Sequence, residues 1–236
     1  MLLVFVCLGL PAALVGIPWS ALRGNFRLMY RFGMASMRLG VRAAGIRVRV
    51  VGQQHLPVGE PCIFLCNHVS NLDPPIILPA LPGMNAVFLK KSLMKIPLLG
   101  TAMRMGKFVP AARGGSREEA AQSVAAAKDA LASGLNIFIF PEGTRSATGQ
   151  MLPFKKGAFF LAAETGAPLV PMVIRGTAAM MRKGSLKLYP RAANPRGEVV
   201  VEFLPMFRPQ SFETKEALME AVRARMQAAL DGPVGA

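Results

Sequence analysis

Acidic residues are missing from the first 59 positions of this 236-residue chain, and the whole sequence holds 13 Asp and Glu against 28 Lys and Arg. A net charge of +15 calls for anionic partners: nucleic acid, an anionic membrane surface, or phosphate-bearing substrates. Cysteine is scarce too. Cys7, Cys62 and Cys66 show no C-x-x-C spacing, which excludes a disulfide framework and a cysteine-based zinc centre, and a reducing cytoplasm fits. No metal is implied. Low-complexity linkers and internal repeats are absent, as is any interleaving of aromatic with basic residues, so nucleic-acid binding is a poor reading. Histidine occurs only twice, at His55 and His68, so each must be accounted for.

Apolar residues are abundant at 52%, and mean hydropathy is +0.37, pointing towards a lipid environment. The opening MLLVFVCLGLPAALVGIPWSAL carries no charge over 22 residues, and a helix needs about 20 to cross a hydrocarbon core. Pro11 and Pro18 argue against one clean helix, so a kinked or partly inserted segment competes with a full span. A cleaved signal peptide fits less well, because no Lys or Arg begins the chain. Residues 23–46 then set arginines among Leu28, Met29, Phe32, Met34, Met37, Leu39 and Val41. That pattern predicts a basic amphipathic helix on an anionic interface, with its side facing the cytoplasm. Residues 1–44 are therefore expected to be a membrane-associating segment ahead of a folded domain at 45–236.

The remainder alternates strand and helix signals. IRVRVV (46–51) has the period of a half-exposed strand, and CIFLC (62–66) reads as a strand covered on both faces. Further strand candidates are 85–90, 107–109, 135–140, 168–174, 186–189 and 198–204. Ser116 and Glu119 form a capping-box pattern ahead of a helix that Gly134 closes. Leu218, Val222, Met226 and Leu230 mark a last amphipathic helix. The fold class expected is α/β: a single domain with a mixed, largely parallel sheet flanked by helices.

Four stretches can carry chemistry. In CNHVSNLDPP (66–75), His68 and Asp73 are five positions apart. On a helix they would diverge by roughly 140°, so they can meet only across a loop. Asp73-Pro74-Pro75 reads as a helix start with Asp73 as its cap, leaving one carboxylate oxygen to orient His68 as a base. FPEGTRS (140–146) places Glu142, Gly143, Thr144 and Arg145 at a second strand end, where Gly143 permits close backbone approach and Arg145 suits a phosphate. GKFVPAARGG (106–115) offers Lys107 and Arg113 beside small residues. PLVPMVIRG (168–176) has Pro171 inside an apolar strand, which implies an edge or a bulge. Taken singly, each stretch has an ordinary alternative: a loop histidine and a cap, a tight turn, surface charge, or core.

Together and in this order, the four resemble the motifs of the PlsC-like glycerolipid acyltransferases. The first family motif, N-H-x-x-x-x-D, matches Asn67 to Asp73, the third matches Phe140 to Ser146, and the fourth is similar to Val170–Ile174. The second departs from the family pattern, with Ala112 before Arg113, and KKSLMKIPLLG (90–100) is similar to the family's linking segment. The resemblance spans about residues 45–205 and implies direct acyl transfer from acyl-CoA or acyl-carrier protein to the hydroxyl of lysophosphatidic acid. It casts His68 as general base, Asp73 as its orienter, and Glu142, Gly143, Thr144 and Arg145 as acceptor-positioning groups. Arg113 and Lys107 would neutralise phosphate, and an apolar groove beside the sheet would hold the acyl chain. Beyond the thioester co-substrate it implies no cofactor, and it places the active domain on the cytoplasmic face of the inner membrane. Two alternatives remain at this stage: the same chemistry on another lyso-lipid, and a non-catalytic protein of anionic membrane surfaces.

Overall fold

A computed structural model describes residues 2–111, 116–181, 187–189 and 197–235. Helices α1 (Leu2–Arg23) and α2 (Arg27–Ala43) precede the first strand. Strand and helix then alternate through β1 (Arg47–Val51), β2 (Ile63–Cys66), α3 (Asp73–Ile77), β3 (Asn85–Lys90), α4 (Leu99–Met105), β4 (Val109–Ala111), α5 (Arg117–Ala132), β5 (Asn136–Ile139), α6 (Gly157–Thr165), β6 (Leu169–Arg175), α7 (Thr177–Met180) and β7 (Glu198–Phe203). Helix α8 (Lys215–Asp231) closes the described chain. The seven strands form one sheet in the order β1-β7-β6-β2-β5-β3-β4. All neighbours are parallel except β6 and β7, so the sheet is mixed and largely parallel.

Helices cover both faces because strand residues alternate sides. Phe64, Phe138, Val170 and Met172 point towards α2 and α3, whereas Ile63, Leu65, Ile137 and Leu169 point towards α5, α6 and α8. The four residues of β2 are all buried, as its unbroken apolar run requires. Each large apolar side chain buried here contributes on the order of 1.5–3 kcal/mol. Helix α5 starts as expected: the Ser116 hydroxyl accepts from the Glu119 amide at 3.2 Å. The Glu119 carboxylate is drawn away to Lys91, so only half of the reciprocal cap operates.

Several expectations change. Helix α1 is assigned through Pro11 and Pro18 without a break; both prolines lie in its interior, and tolerance of proline there is greatest where neighbouring groups take up the freed backbone partners. Among the described residues no helix is long and apolar enough to cross a membrane. The apolar set of α2 divides: Met34 and Val41 are buried with Tyr30 against the domain, Met29 is buried beside Gly16 of α1, and Leu28, Phe32 and Leu39 are exposed. The helix is thus part of the core on one side and free on the other. Of the strand expected at 186–189, the described residues Lys187–Tyr189 form none; the Tyr189 amide donates to the Met180 carbonyl at 2.8 Å. Pro171 lies on an interior strand, between β7 and β2. The bulge alternative is what accommodates it: Leu169 bridges Phe207 but Met172 pairs with Phe203, so three steps along β6 answer four on its partner. The extra residue interrupts the ladder where proline has no N–H to give.

Candidate active site

Strand β2 sits between β5 and β6, with all three parallel, so their carboxyl ends open at one edge of the sheet, where open α/β sheets bind ligands. His68 leaves β2 there, Glu142 follows β5, and Thr177 follows β6. Asn67 ties the first of these ends down. Its amide oxygen accepts from the Ile174 N–H at 2.8 Å, and its amide nitrogen donates to the Ile174 carbonyl at 3.2 Å. The side chain so continues the ladder one step past the strand, and the next residue, His68, is fixed in direction.

His68 and Asp73 do meet across the loop, with His68 Nδ1 2.8 Å from Asp73 Oδ2. The way Asp73 achieves this differs from the cap expected of it. Asp73 is the first residue of α3 and makes no capping bond to later amides. Its carboxylate turns back instead: Oδ2 also accepts from the Val69 and Ser70 amides, each at 2.8 Å, and Oδ1 accepts from the Thr177 hydroxyl at 2.6 Å. Pro74 and Pro75 supply no N–H, whereas the loop before the helix supplies two. Four donors converge on one fully buried carboxylate, the environment that suits an acceptor-only group. Against that acceptor Nδ1 is the donor, and in a neutral imidazole so held the lone pair is on Nε2. The ring is also stacked on Phe140, with centroids 3.8 Å apart and planes 14° from parallel. Phe140 in turn meets Phe138 edge-on. The imidazole side chain is 12% exposed, enough for contact with a reactant and too little for free rotation.

The 140–146 loop is bonded to this centre by backbone as well as stacking. Glu142 Oε1 accepts from the His68 amide and Oε2 from the Leu152 amide, both at 2.8 Å, while the Ser146 amide donates to the His68 carbonyl at 2.8 Å. Burial pushes the Glu142 carboxyl above its ordinary value, and the two amides oppose that shift only in part. Each Glu142 oxygen accepts from one backbone amide, so the carboxylate fixes the His68 main chain and the 152 loop in place. Gly143 has φ +70, a left-handed turn that glycine adopts without strain. The stem of Lys155 lies about where a Gly143 side chain would point, 3.5 Å from an added Cβ. Thr144 is exposed and Arg145 half-buried.

The remaining expectations separate by position. Lys107 lies at the amino ends of the strands, before β4, and donates to the Ser133 hydroxyl at the end of α5; the topology puts it at the opposite end of the sheet from His68. Arg113 lies outside the described residues. The second histidine, His55, bonds the Phe203 carbonyl at 3.0 Å and lines a cavity of about 270 Å³ with Glu202 and Arg225. Because β7 runs against β6, that cavity is also at the far end. A groove of about 330 Å³ lies beside the sheet between α2, β1 and α3, floored by Val41, Ile46, Val50 and Ile76 and rimmed by Arg38, Arg42 and Arg47; His68 does not line it. Thr177 was not foreseen. The sequence signal available was a hydroxyl residue two positions after the strand 169–175, but nothing local couples it to Asp73, 104 positions earlier.

The Acyltransferase family model matches residues 47–175, a stretch that holds every residue of the centre except Thr177. The chain belongs to the Acyltransferase family. Its curated relatives include the chloroplastic 1-acyl-sn-glycerol-3-phosphate acyltransferase of Brassica napus, 33% identical over 73% of this chain and 50% of that protein. The alpha form of the human 1-acyl-sn-glycerol-3-phosphate acyltransferase is 34% identical over 69% of this chain and 57% of that protein. The chain thus spans about half the length of these relatives. Among solved structures, the 1-acyl-sn-glycerophosphate acyltransferase PlsC of Thermotoga maritima superposes with a TM-score of 0.76 at 26% identity, covering 97% of this chain and 93% of that one. The family model and the solved structure agree on the fold, the likeness to the latter extending over 97% of the chain.

Proposed function

We propose that the protein acylates lysophosphatidic acid to phosphatidic acid, with an acyl thioester of coenzyme A or acyl-carrier protein as donor. The observation that carries the reading is the buried relay from Thr177 through Asp73 to His68 at the carboxyl ends of β2 and β6. Nε2 of His68 removes the proton from the acceptor hydroxyl as its oxygen attacks the thioester carbonyl. The C–O bond forms, the C–S bond of the tetrahedral intermediate breaks, and the imidazolium returns the proton to the departing thiolate. Asp73 stabilises the transient charge and holds the tautomer, and Phe140 keeps the ring in plane. Cysteine has no part in this scheme: Cys62 and Cys66 are buried, with the Cys62 thiol pushed up to about 12 by desolvation.

Arg145, with Arg113, binds the acceptor phosphate, and Gly143 and Thr144 bring backbone close to it. In this reading residues 1–44 hold the domain at the cytoplasmic face of the inner membrane, where the acceptor resides; the choice of acceptor is supported by the relatives, which are named for 1-acyl-sn-glycerol-3-phosphate. The test is acylation of lysophosphatidic acid from a thioester by membranes carrying the full chain, alongside a panel of other lyso-acceptors. His68→Ala should abolish turnover while leaving membrane attachment intact. Wild-type turnover in that variant would remove the general base, and preference for a different lyso-lipid would reassign the acceptor.

A further inference from the structure

The stretch Lys91–Leu99 has no part in the site described, yet it leaves the sheet beside it. Strand β3 is parallel to β5, so its carboxyl end, Lys90, opens on the same edge as His68. From there the chain makes one 3-10 turn, Lys91–Lys95, and enters α4. Three of its large apolar side chains face outwards: Leu93 is 38% exposed, Ile96 45% and Leu99 41%, while Met94 and Leu98 are half-buried. Scattered exposed apolar residues are ordinary on a protein surface, but three within seven positions, among cations, form an interfacial pattern.

The charge around them has one sign. No Asp or Glu occurs between Asp73 and Glu118, while Lys90, Lys91, Lys95 and Arg104 all lie there. Lys91 pairs with Glu119 across the surface; Lys90 and Lys95 are exposed beside the apolar side chains.

The segment is also held in shape. Gly100 packs so closely under it that an added Cβ would lie 2.0 Å from the Met94 carbonyl oxygen. The Gly100 amide donates to the Ile96 carbonyl at 2.8 Å, and the Arg104 guanidinium donates to the Met94 carbonyl at 3.0 Å. Leu98 has φ +59, a strained conformation for a branched side chain, in the middle of the outward-facing set. A surface that merely tolerated apolar residues would not require this bracing. The segment is continuous with the N-terminal helices, since α4 packs on α1 and Gly106 lies against the ring of Phe26. Trp19, Leu22 and Phe32 are exposed on those helices.

We propose that Lys91–Leu99 is a second bilayer-docking element: Leu93, Ile96 and Leu99 enter the interface of an anionic membrane, and Lys90 and Lys95 lie against its headgroups. It acts with α1 and α2 to seat the His68 edge of the sheet on the lipid surface, so that an acceptor reaches the base without leaving the bilayer. An acidic protein would suit the lysines equally, but it would leave the braced apolar side chains without a purpose. The proposal rests on the acyl-transfer reading only for its activity readout.

The test uses the full chain with Trp19→Phe and Leu93→Trp, mixed with vesicles of brominated phosphatidylcholine with and without an anionic phospholipid. Quenching of the introduced indole on the anionic vesicles is expected. Lys90→Gln and Lys95→Gln should each weaken vesicle partition roughly five-fold. Leu93→Ser with Ile96→Ser and Leu99→Ser should lower acylation of a bilayer-embedded acceptor at least ten-fold, and leave a short-chain, water-soluble acceptor unaffected. An indole that stays unquenched on vesicles the protein has bound overturns the proposal. So does a lysine effect confined to the KM of an acyl-carrier-protein donor, which would assign the patch to an acidic protein. Quenching without any acyl transfer would support the docking element and remove the enzymatic reading, so the two failures are distinguishable.

Discussion

Exchanging Thr177 for valine removes one hydroxyl and keeps the shape of the side chain, which isolates the last link of the Thr177–Asp73–His68 relay. Both residues are wholly buried, and the bond is 2.6 Å long. A hydrogen bond to a charged group contributes about 1.5–3 kcal/mol, and no water has access to replace it at Oδ1. A loss of about 2 kcal/mol in a chain of this size lowers Tm by about 4–8 °C. The effect on turnover has a separate origin. With three donors on Oδ2 and none on Oδ1, the carboxylate loses the bond that fixes its tilt, and the imidazole it holds shifts with it. A misalignment worth about 1.4 kcal/mol in the transition state lowers kcat about ten-fold. KM for the acceptor should stay as it is, because Thr177 touches no substrate. Thr177→Ser keeps the hydroxyl and sacrifices a methyl worth about 0.8 kcal/mol; it should melt slightly early and turn over normally. The assay is thermal unfolding followed by circular dichroism, with steady-state acylation of lysophosphatidic acid on the same samples. Wild-type kcat and Tm in Thr177→Val would refute the relay, and so would a serine variant as impaired as the valine one.

Other expectations rest on the same geometry. Glu142→Gln should destabilise the fold, since an amide nitrogen would face one of the two backbone N–H groups that the carboxylate now satisfies. Because burial raises the Glu142 carboxyl above 4.5, the folded state binds more protons than the unfolded one just above that pH. Its contribution is complete below the unfolded value and falls away as pH rises through the folded one; the pH slope of denaturant midpoints in that window should flatten in Glu142→Gln, and an unchanged slope would count against the assignment. Cys62 and Cys66 should resist alkylation at pH 8 in the native protein and react once it is unfolded, as mapped by mass spectrometry, because both thiols are buried and raised. Rapid native labelling of either would contradict that burial. Lys107→Ala should leave both KM and kcat unchanged, whereas Arg145→Ala should raise the acceptor KM; a KM effect at Lys107 would contradict its placement at the far end of the sheet.

Much of the fold is visible in local pattern. The strands at 47–51, 63–66, 85–90, 136–139, 169–175 and 198–203 coincide with apolar or alternating runs, because a strand's surroundings are recorded residue by residue in which side chains it can expose. Helices α5 and α8 likewise carry their own caps and periodicity. The strand expected at 186–189 is not formed over its described residues, 187–189, because period-two alternation is necessary for a half-buried strand but needs a neighbouring edge to pair with. Asp73 misled for a related reason. Its position before two prolines is that of a cap, but the donors that claim its carboxylate come from the loop behind it.

The sequence by itself determined that a rare histidine and an acid stand five positions apart after a strand, that a Glu-Gly-Thr-Arg loop follows a second strand, and that the chain is basic and apolar at its start. These are short-range facts, written in spacing and composition. Tertiary structure alone decided which groups share an end of the sheet. Strand order and direction bring Thr177 to Asp73, aim both Glu142 oxygens at backbone amides, and carry Lys107 to the opposite edge. No spacing rule reaches across 104 positions, because contact there depends on how β6 lies beside β2, and that is settled by the packing of the whole sheet.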